Sequence, residues 1–164
     1  MFRLAELYFE VSEEEYALDN EEFTKATLNL SADAVPPAEP LKDYQTSIAL
    51  YRRIVRDYPA YRYTDGAYYM LAYCLGEGLS AQYDQAEAQA MYAALVDNFP
   101  QSEFANQANM QLGEYAFDAN NLDQAIVYYQ RVVDSGPKAS LYDRGLYKLA
   151  WAYYRIDDYP QAVK

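Results

Sequence analysis

NQANMQLGEYAFDANNLDQAIVYYQRVVDSGP, residues 106–137, reads as two short helices joined by a polar turn. The first carries Leu112, Gly113, Ala116 and Phe117. The second carries Ala125, Tyr129 and Val132 and stops at Pro137. Between them, Ala119-Asn120-Asn121-Leu122-Asp123 offers Asn121 or Asp123 as the N-cap of the second helix. Small residues at Gly113 and Ala125 let the two helices approach closely. Leu112, Tyr129 and Val132 then fill the space beside that contact.

The same pattern recurs along the chain. Pro59, Pro100 and Pro137 close similar apolar blocks, 41 and 37 residues apart. Asp65, Asn106 and Asp143 keep those intervals, as do Ala72, Gly113 and Ala150 in the small slot of the first helix. Ser47, Ala88, Ala125 and Ala162 form the small slot of the second helix. Tyr51, Tyr92 and Tyr129 share the next slot, and Ile54, Leu95 and Val132 the one after. RLAELYFE at the start aligns with KLAWAYYR at 148–155, placing Leu4 on Leu149, Ala5 on Ala150, Tyr8 on Tyr153 and Phe9 on Tyr154. A small residue inside each helix and proline at the exit resemble the tetratricopeptide repeat, whose unit is about 34 residues. The resemblance implies an all-α fold, a right-handed superhelix of helical hairpins (an α-solenoid). The whole of 1–164 then forms a single array: units of about 1–59, with an insertion over 11–40, then 60–100, 101–137 and an incomplete 138–164. Further repeats are expected at both ends.

Composition limits the function. The formal net charge is −12 and the pI about 4.3, which disfavours nucleic acid and direct adsorption to an anionic bilayer. No run is long and apolar enough to insert in a membrane, and MFRLAELYFE carries charges through its apolar run, unlike a signal peptide. Twenty residues are tyrosine, suited to a thin array in which few side chains are fully buried. There is no histidine, which removes His-based catalysis and most zinc sites. The one cysteine, Cys74, lies on the apolar side of a helix and reads as a small core residue. No glycine-rich phosphate loop and no strand are predicted. The chain is not expected to be an enzyme or to carry a cofactor or metal.

Segment 11–30 is acidic and continues the first helix to about Ala26. Its glutamate runs, Glu13–Glu15 and Glu21–Glu22, read as a solvated face, with a cation site as the lesser alternative. Asn29-Leu30-Ser31 fits a glycosylation triplet, and 31–40 is a proline-rich loop. Later helices are expected over 41–58, 62–75, 84–99 and 140–156, with a looser connection from Gly76 to Tyr83. Arg52, Arg53 and Arg56 form a basic patch expected to pair with nearby acids.

In the family, residues offset by −3, +1, +4 and +5 from the small slot of the first helix line the concave groove. Carried onto this chain they are Phe2, Glu6, Phe9 and Glu10; Tyr69, Tyr73, Gly76 and Glu77; Met110, Glu114, Phe117 and Asp118; and Tyr147, Trp151, Tyr154 and Arg155. The resemblance therefore implies partner binding through Tyr69, Tyr73, Met110, Glu114, Phe117, Tyr147, Trp151, Tyr154 and Arg155. The alternative for each aromatic is packing between repeats. Tyr68, Asn109 and Leu146 occupy the slot where the family has tryptophan, and the acidic column lacks the basic carboxylate clamp of chaperone-tail domains. FRLAELYFE, DGAYYMLAYCL, LGEYAFD and LYKLAWAYYRIDDYPQAV resemble repeat proteins of the bacterial cell envelope, of the gliding-motility and outer-membrane-assembly kind. That resemblance implies a bacterial periplasmic or envelope location, the alternative being cytoplasmic. The expected function is a non-catalytic scaffold binding a protein or peptide. The alternatives are an accessory domain of a larger enzyme or transporter and a groove for a small ligand or peptidoglycan.

Overall fold

In the computed structural model, which describes residues 1–28, 30–31 and 34–163, the described residues form eight helices and no sheet. Helices α1 (Phe2–Leu28), α2 (Gln45–Asp57) and α3 (Thr64–Gly76) precede α4 (Gln85–Asn98), followed by α5 (Ala105–Asp118), α6 (Leu122–Asp134), α7 (Tyr142–Arg155) and α8 (Tyr159–Ala162). The chain divides into two compact units, Met1–Ala88 and Gln89–Lys164, and the division falls within α4. Both are built from helical hairpins of the α-solenoid kind. The glycosylation triplet includes Asn29 and lies outside the described residues, as do Ala32, Asp33 and Lys164.

The first unit packs α2 against both α1 and α3. Its core contains Ala5, Ile48, Tyr51, Ile54, Leu71 and Cys74, all nearly inaccessible to solvent. Each fully buried aliphatic side chain here is worth roughly 1.5–3 kcal/mol. The small slots act as read from the sequence: Ser47 Oγ donates to the Ala5 carbonyl at 3.2 Å, so the two backbones approach at that point. Phe9 stacks on Tyr44 with ring centroids 5.2 Å apart, and Phe2 stacks on Tyr63 at 5.4 Å.

Two expectations are corrected in this unit. Helix α2 begins at Gln45 rather than near residue 41, and the connection after α3 is not loose. Lys42 pairs with Ser80 as an isolated parallel bridge: Lys42 N donates to Leu79 O and Ala81 N to Lys42 O, both at 2.8 Å. Gln82 reinforces the clamp, accepting from Tyr44 N at 2.8 Å and donating to Asp43 Oδ1 at 2.8 Å. The residues that lengthen this repeat hold the lead-in to α2 extended. Glu13 is drawn in as well. It pairs with Lys42 Nζ at 3.1 Å and accepts from the Tyr44 hydroxyl, so one member of the acidic run has a structural partner. Burial, then that contact with Glu13, raises the Tyr44 pKa. No group of residues suited to hold a metal occurs among the described residues. Arg52 makes two hydrogen bonds to Glu87, the Nε one at 2.8 Å, while Arg53 and Arg56 both reach Asp57, so the basic patch is paired as expected.

In the second unit α6 packs on both α5 and α7. Met110, Ala125, Tyr129, Val132, Leu149 and Ala152 form its core. A Cβ added at Gly113 would lie 2.7 Å from Tyr129 Cδ1, and one at Gly145 would lie 2.9 Å from Val132 Cγ1. These glycines therefore set the distance between helices. Asn120 and Asp157 take left-handed backbone at φ 58° and 62°, which Asn and Asp tolerate better than most residues. Asn121 N then donates to Ala116 O and Asp158 N to Tyr153 O, closing the first helix of each hairpin. The next helix is capped immediately: Asn121 accepts from Gln124 N at 3.4 Å and Asp158 from Gln161 N at 3.3 Å. Asp84 caps α4 in the same way, from Glu87 N at 2.9 Å. Of the two N-cap candidates in the central turn, Asn121 performs the role.

Candidate partner-binding face

The expected groove residues fall into three structural classes. Met110 is in the core, only 3 % exposed, and takes its place beside Tyr129 and Val132. Its expected partner-binding role is corrected by that burial, since the apolar side chain is already covered within its own hairpin. Tyr69 and Tyr73 on α3 are half-buried. Phe9 meets Tyr73 edge-on at 5.9 Å, so this part of the column is occupied by packing inside the first unit. Burial, then Glu77, pushes the Tyr73 pKa up to about 12, and burial raises that of Tyr69.

The third class lies on α5 and α7. Tyr147, Trp151 and Tyr154 are 60 %, 45 % and 54 % exposed. They form a row of edge-on contacts: Tyr147 to Trp151 at 6.3 Å, Trp151 to Tyr154 at 5.7 Å, and Tyr154 on to Tyr159 at 5.6 Å. Their spacing on α7 puts them on one side of the helix. Trp151 stands between two depressions. One, of about 270 Å³, is lined by Phe117 from α5 and by Tyr147, Lys148, Trp151 and Arg155 from α7. The other, of about 370 Å³, lies between Tyr147, Ala150, Trp151 and Tyr154 and the Ala162–Val163 end.

The charged members position one another. Lys148 Nζ lies 2.6 Å from Glu114 Oε2. Arg155 lies over the Phe117 ring at 5.2 Å and donates to Asn120 Oδ1 at 2.7 Å. Phe117 is thus fixed as the floor of the smaller cleft, with a cation held at its rim. Glu114 also faces inward. Burial first, and then the Glu114 charge, raises the Tyr129 pKa. The other Glu114 oxygen, Oε1, is buried without a hydrogen bond of normal geometry, as is the Tyr129 hydroxyl. The structure therefore brings together Glu114, Phe117, Tyr147, Trp151, Tyr154 and Arg155. It adds Lys148, which the groove offsets omit; its pairing with Glu114, 34 residues earlier, does not follow the 37-residue interval of these two units and so leaves no periodic signal in the sequence.

This arrangement can grip an apolar side chain between rings. Cys74 is 0 % exposed and burial pushes its pKa up to about 12, so the thiol is held neutral and unreactive.

A family model, the tetratricopeptide repeat-like domain, matches residues 58–164, and a second, the tetratricopeptide repeat, matches residues 1–61. The chain is a tetratricopeptide repeat protein. Repeats of this family generally mediate protein–protein interaction and are typically non-catalytic modules. No curated protein and no solved structure matches the chain. As a tetratricopeptide repeat chain it has no helix, among the described residues, long and apolar enough to cross a membrane.

Proposed function

We propose that this chain is a non-catalytic scaffold that holds a peptide or helix of a partner protein against the α5–α7 face. The observation that carries the reading is the cleft between Phe117 and Trp151. It has aromatic walls from two helices, each at least three turns long, and a charged rim at Lys148 and Arg155. Exposed, positioned aromatics give contact area at little cost in side-chain ordering, and central Trp, Tyr and Arg residues dominate many interfaces. A partner segment with an aliphatic or aromatic anchor fits the cleft, with a carboxylate of its own meeting Arg155. The assembly it serves is placed in the bacterial cell envelope, on the strength of the sequence segments that resemble envelope repeat proteins.

The test is affinity capture from envelope lysate, with the native chain run beside Tyr147→Ala/Trp151→Ala and helicity checked by circular dichroism. A protein that co-purifies with the native chain and is lost from the still-helical variant supports the reading. Identical capture by both chains contradicts it.

A further inference from the structure

A cleft of about 660 Å³ lies among the C-terminal turns of α4 and α6 and the first turns of α5, wholly inside the second unit. Its floor is Val96, Ala105 and Asn109, each at most 7 % exposed, and its rim carries the exposed side chains Asp97, Arg131 and Asp134. Helices precede and follow these three elements, so the cleft is internal to the run of helices.

Asn109 sets this place apart. The same slot holds Tyr68 in α3 and Leu146 in α7. The Asn109 amide nitrogen donates to Ala105 O, one turn earlier, at 2.9 Å, which fixes the orientation of the amide. The amide oxygen then faces the other way, where it is buried without a hydrogen-bond partner. A buried amide oxygen that lacks a donor is destabilising, and this one lines a polar cleft. It marks the point at which a ligand N–H completes the structure.

The neighbouring groups decide the kind of donor. Hydrogens near the floor are spent within the protein. Asn106 Nδ2 donates to Ser135 Oγ at 3.0 Å and to Ser140 O at 3.2 Å, and Ser135 Oγ donates to Val132 O. Acceptors are left over: Asn109 Oδ1, the Asp97 carboxylate, and the Asp134 oxygen that Gln130 does not engage. The C-terminal turns of two helices line the cleft against the N-terminal turn of one, and α4 has no basic side chain in its last turn. The negative ends of helix dipoles favour a cation. Arg131, the basic residue of the rim, lies over the Tyr128 ring at 5.5 Å, and the two rim carboxylates outnumber it. A planar guanidinium carries several N–H donors in a fixed fork, so it can meet the amide oxygen and a carboxylate together. Its aliphatic stem suits Val96 and Ala105. We propose that this cleft binds a guanidinium cation, supplied by a free small molecule or by an arginine side chain of a partner protein. The proposal is independent of the cleft at Trp151.

The test uses the whole chain, isotopically labelled, and follows its backbone and side-chain amide NMR signals. The probes are N-ethylguanidinium and the peptide acetyl-Gly-Arg-Gly-amide, titrated at constant ionic strength. Saturable shifts are expected at the Asn109 side chain and at the backbone amides of Ala105 and Ser135. Asn109→Leu matches Leu146 in the register and removes the acceptor, and it is expected to weaken binding about tenfold or more. The exposed pair Asp97→Asn/Asp134→Asn is expected to do the same, and it carries the test alone if Asn109→Leu unfolds the chain. Peptides with lysine or citrulline in place of arginine are expected to bind at least about tenfold more weakly. Tighter binding of the arginine peptide than of N-ethylguanidinium assigns the source as a partner's side chain; equal or weaker binding assigns it as a free small molecule. No saturable shift at Asn109, shifts confined to Trp151, equal binding of the lysine or citrulline peptide, or insensitivity to the substitutions overturns the proposal.

Discussion

Helices α5 and α7 occupy the same position in successive hairpins, yet one buries its groove column and the other displays it. Met110 on α5 and Tyr147 on α7 are register equivalents, 3 % and 60 % exposed. Glu114 and Phe117 are half-buried where Trp151 and Tyr154 are exposed. The difference lies in the helix alongside. The thirteen residues of α6 lay Tyr129 across Gly113 and enclose Met110 in a core with Tyr129 and Val132. A column position in a repeat is thus not a surface property. Packing against α6 makes the Met110 slot core.

The largest test of this contrast compares Met110→Ala with Tyr147→Ala. Removing Met110 from the core is expected to cost roughly 2–5 kcal/mol in urea unfolding. Tyr147→Ala is expected to cost no more than about 1 kcal/mol, from loss of its edge-on contact with Trp151. Equal costs would break the comparison. Next comes Gly113→Ala. The new methyl group overlaps the Tyr129 ring, so overpacking is expected to cost roughly 1–3 kcal/mol, offset in part by the better helix propensity of Ala. A stabilised variant would show that Tyr129 moves aside freely and that the tight approach is not what holds α6 on α5. Smaller again is Asn121→Ala, which removes the cap at the start of α6. A loss of about 1 kcal/mol is expected, with less from Asn121→Gly.

Alkaline pH sharpens the same distinction between core and face. Cys74 titrates near 12 in the folded chain instead of its ordinary 9.0, and Tyr73 near 12 instead of 10.0, in both cases with burial as the leading cause. The folded state holds these protons more tightly than the unfolded state does. Stability is therefore fully present below about pH 9 and is lost as pH rises towards 12. The urea midpoint is expected to fall over that window. Cys74 is expected to resist a thiol reagent at pH 8 until the chain unfolds.

Much of the fold was legible because its signals are local or periodic. Small slots at Ser47, Gly113 and Ala125, closing prolines, and a turn with Asn or Asp at both the left-handed and capping positions all leave marks within a few residues. The Lys42–Ser80 bridge was not legible. It depends on backbone pairing across 38 residues, and neither segment has a periodicity that announces it. The groove column was only partly legible. Its register is periodic, but exposure depends on neighbouring helices, so Met110 reads like Tyr147 in sequence and behaves oppositely in structure. Lys148 was missed because its role comes from facing Glu114 on the adjacent first helix, not from its own offset.

Trp151 is the sole tryptophan, and it forms a wall of the cleft on which the proposed function rests. The most direct measurement is its fluorescence during titration with the partner segment recovered by capture. The account predicts a saturable blue shift, as the half-exposed indole is desolvated, with a midpoint equal to the dissociation constant measured independently and abolished by Phe117→Ala. Saturable binding that leaves the Trp151 emission unchanged would contradict it.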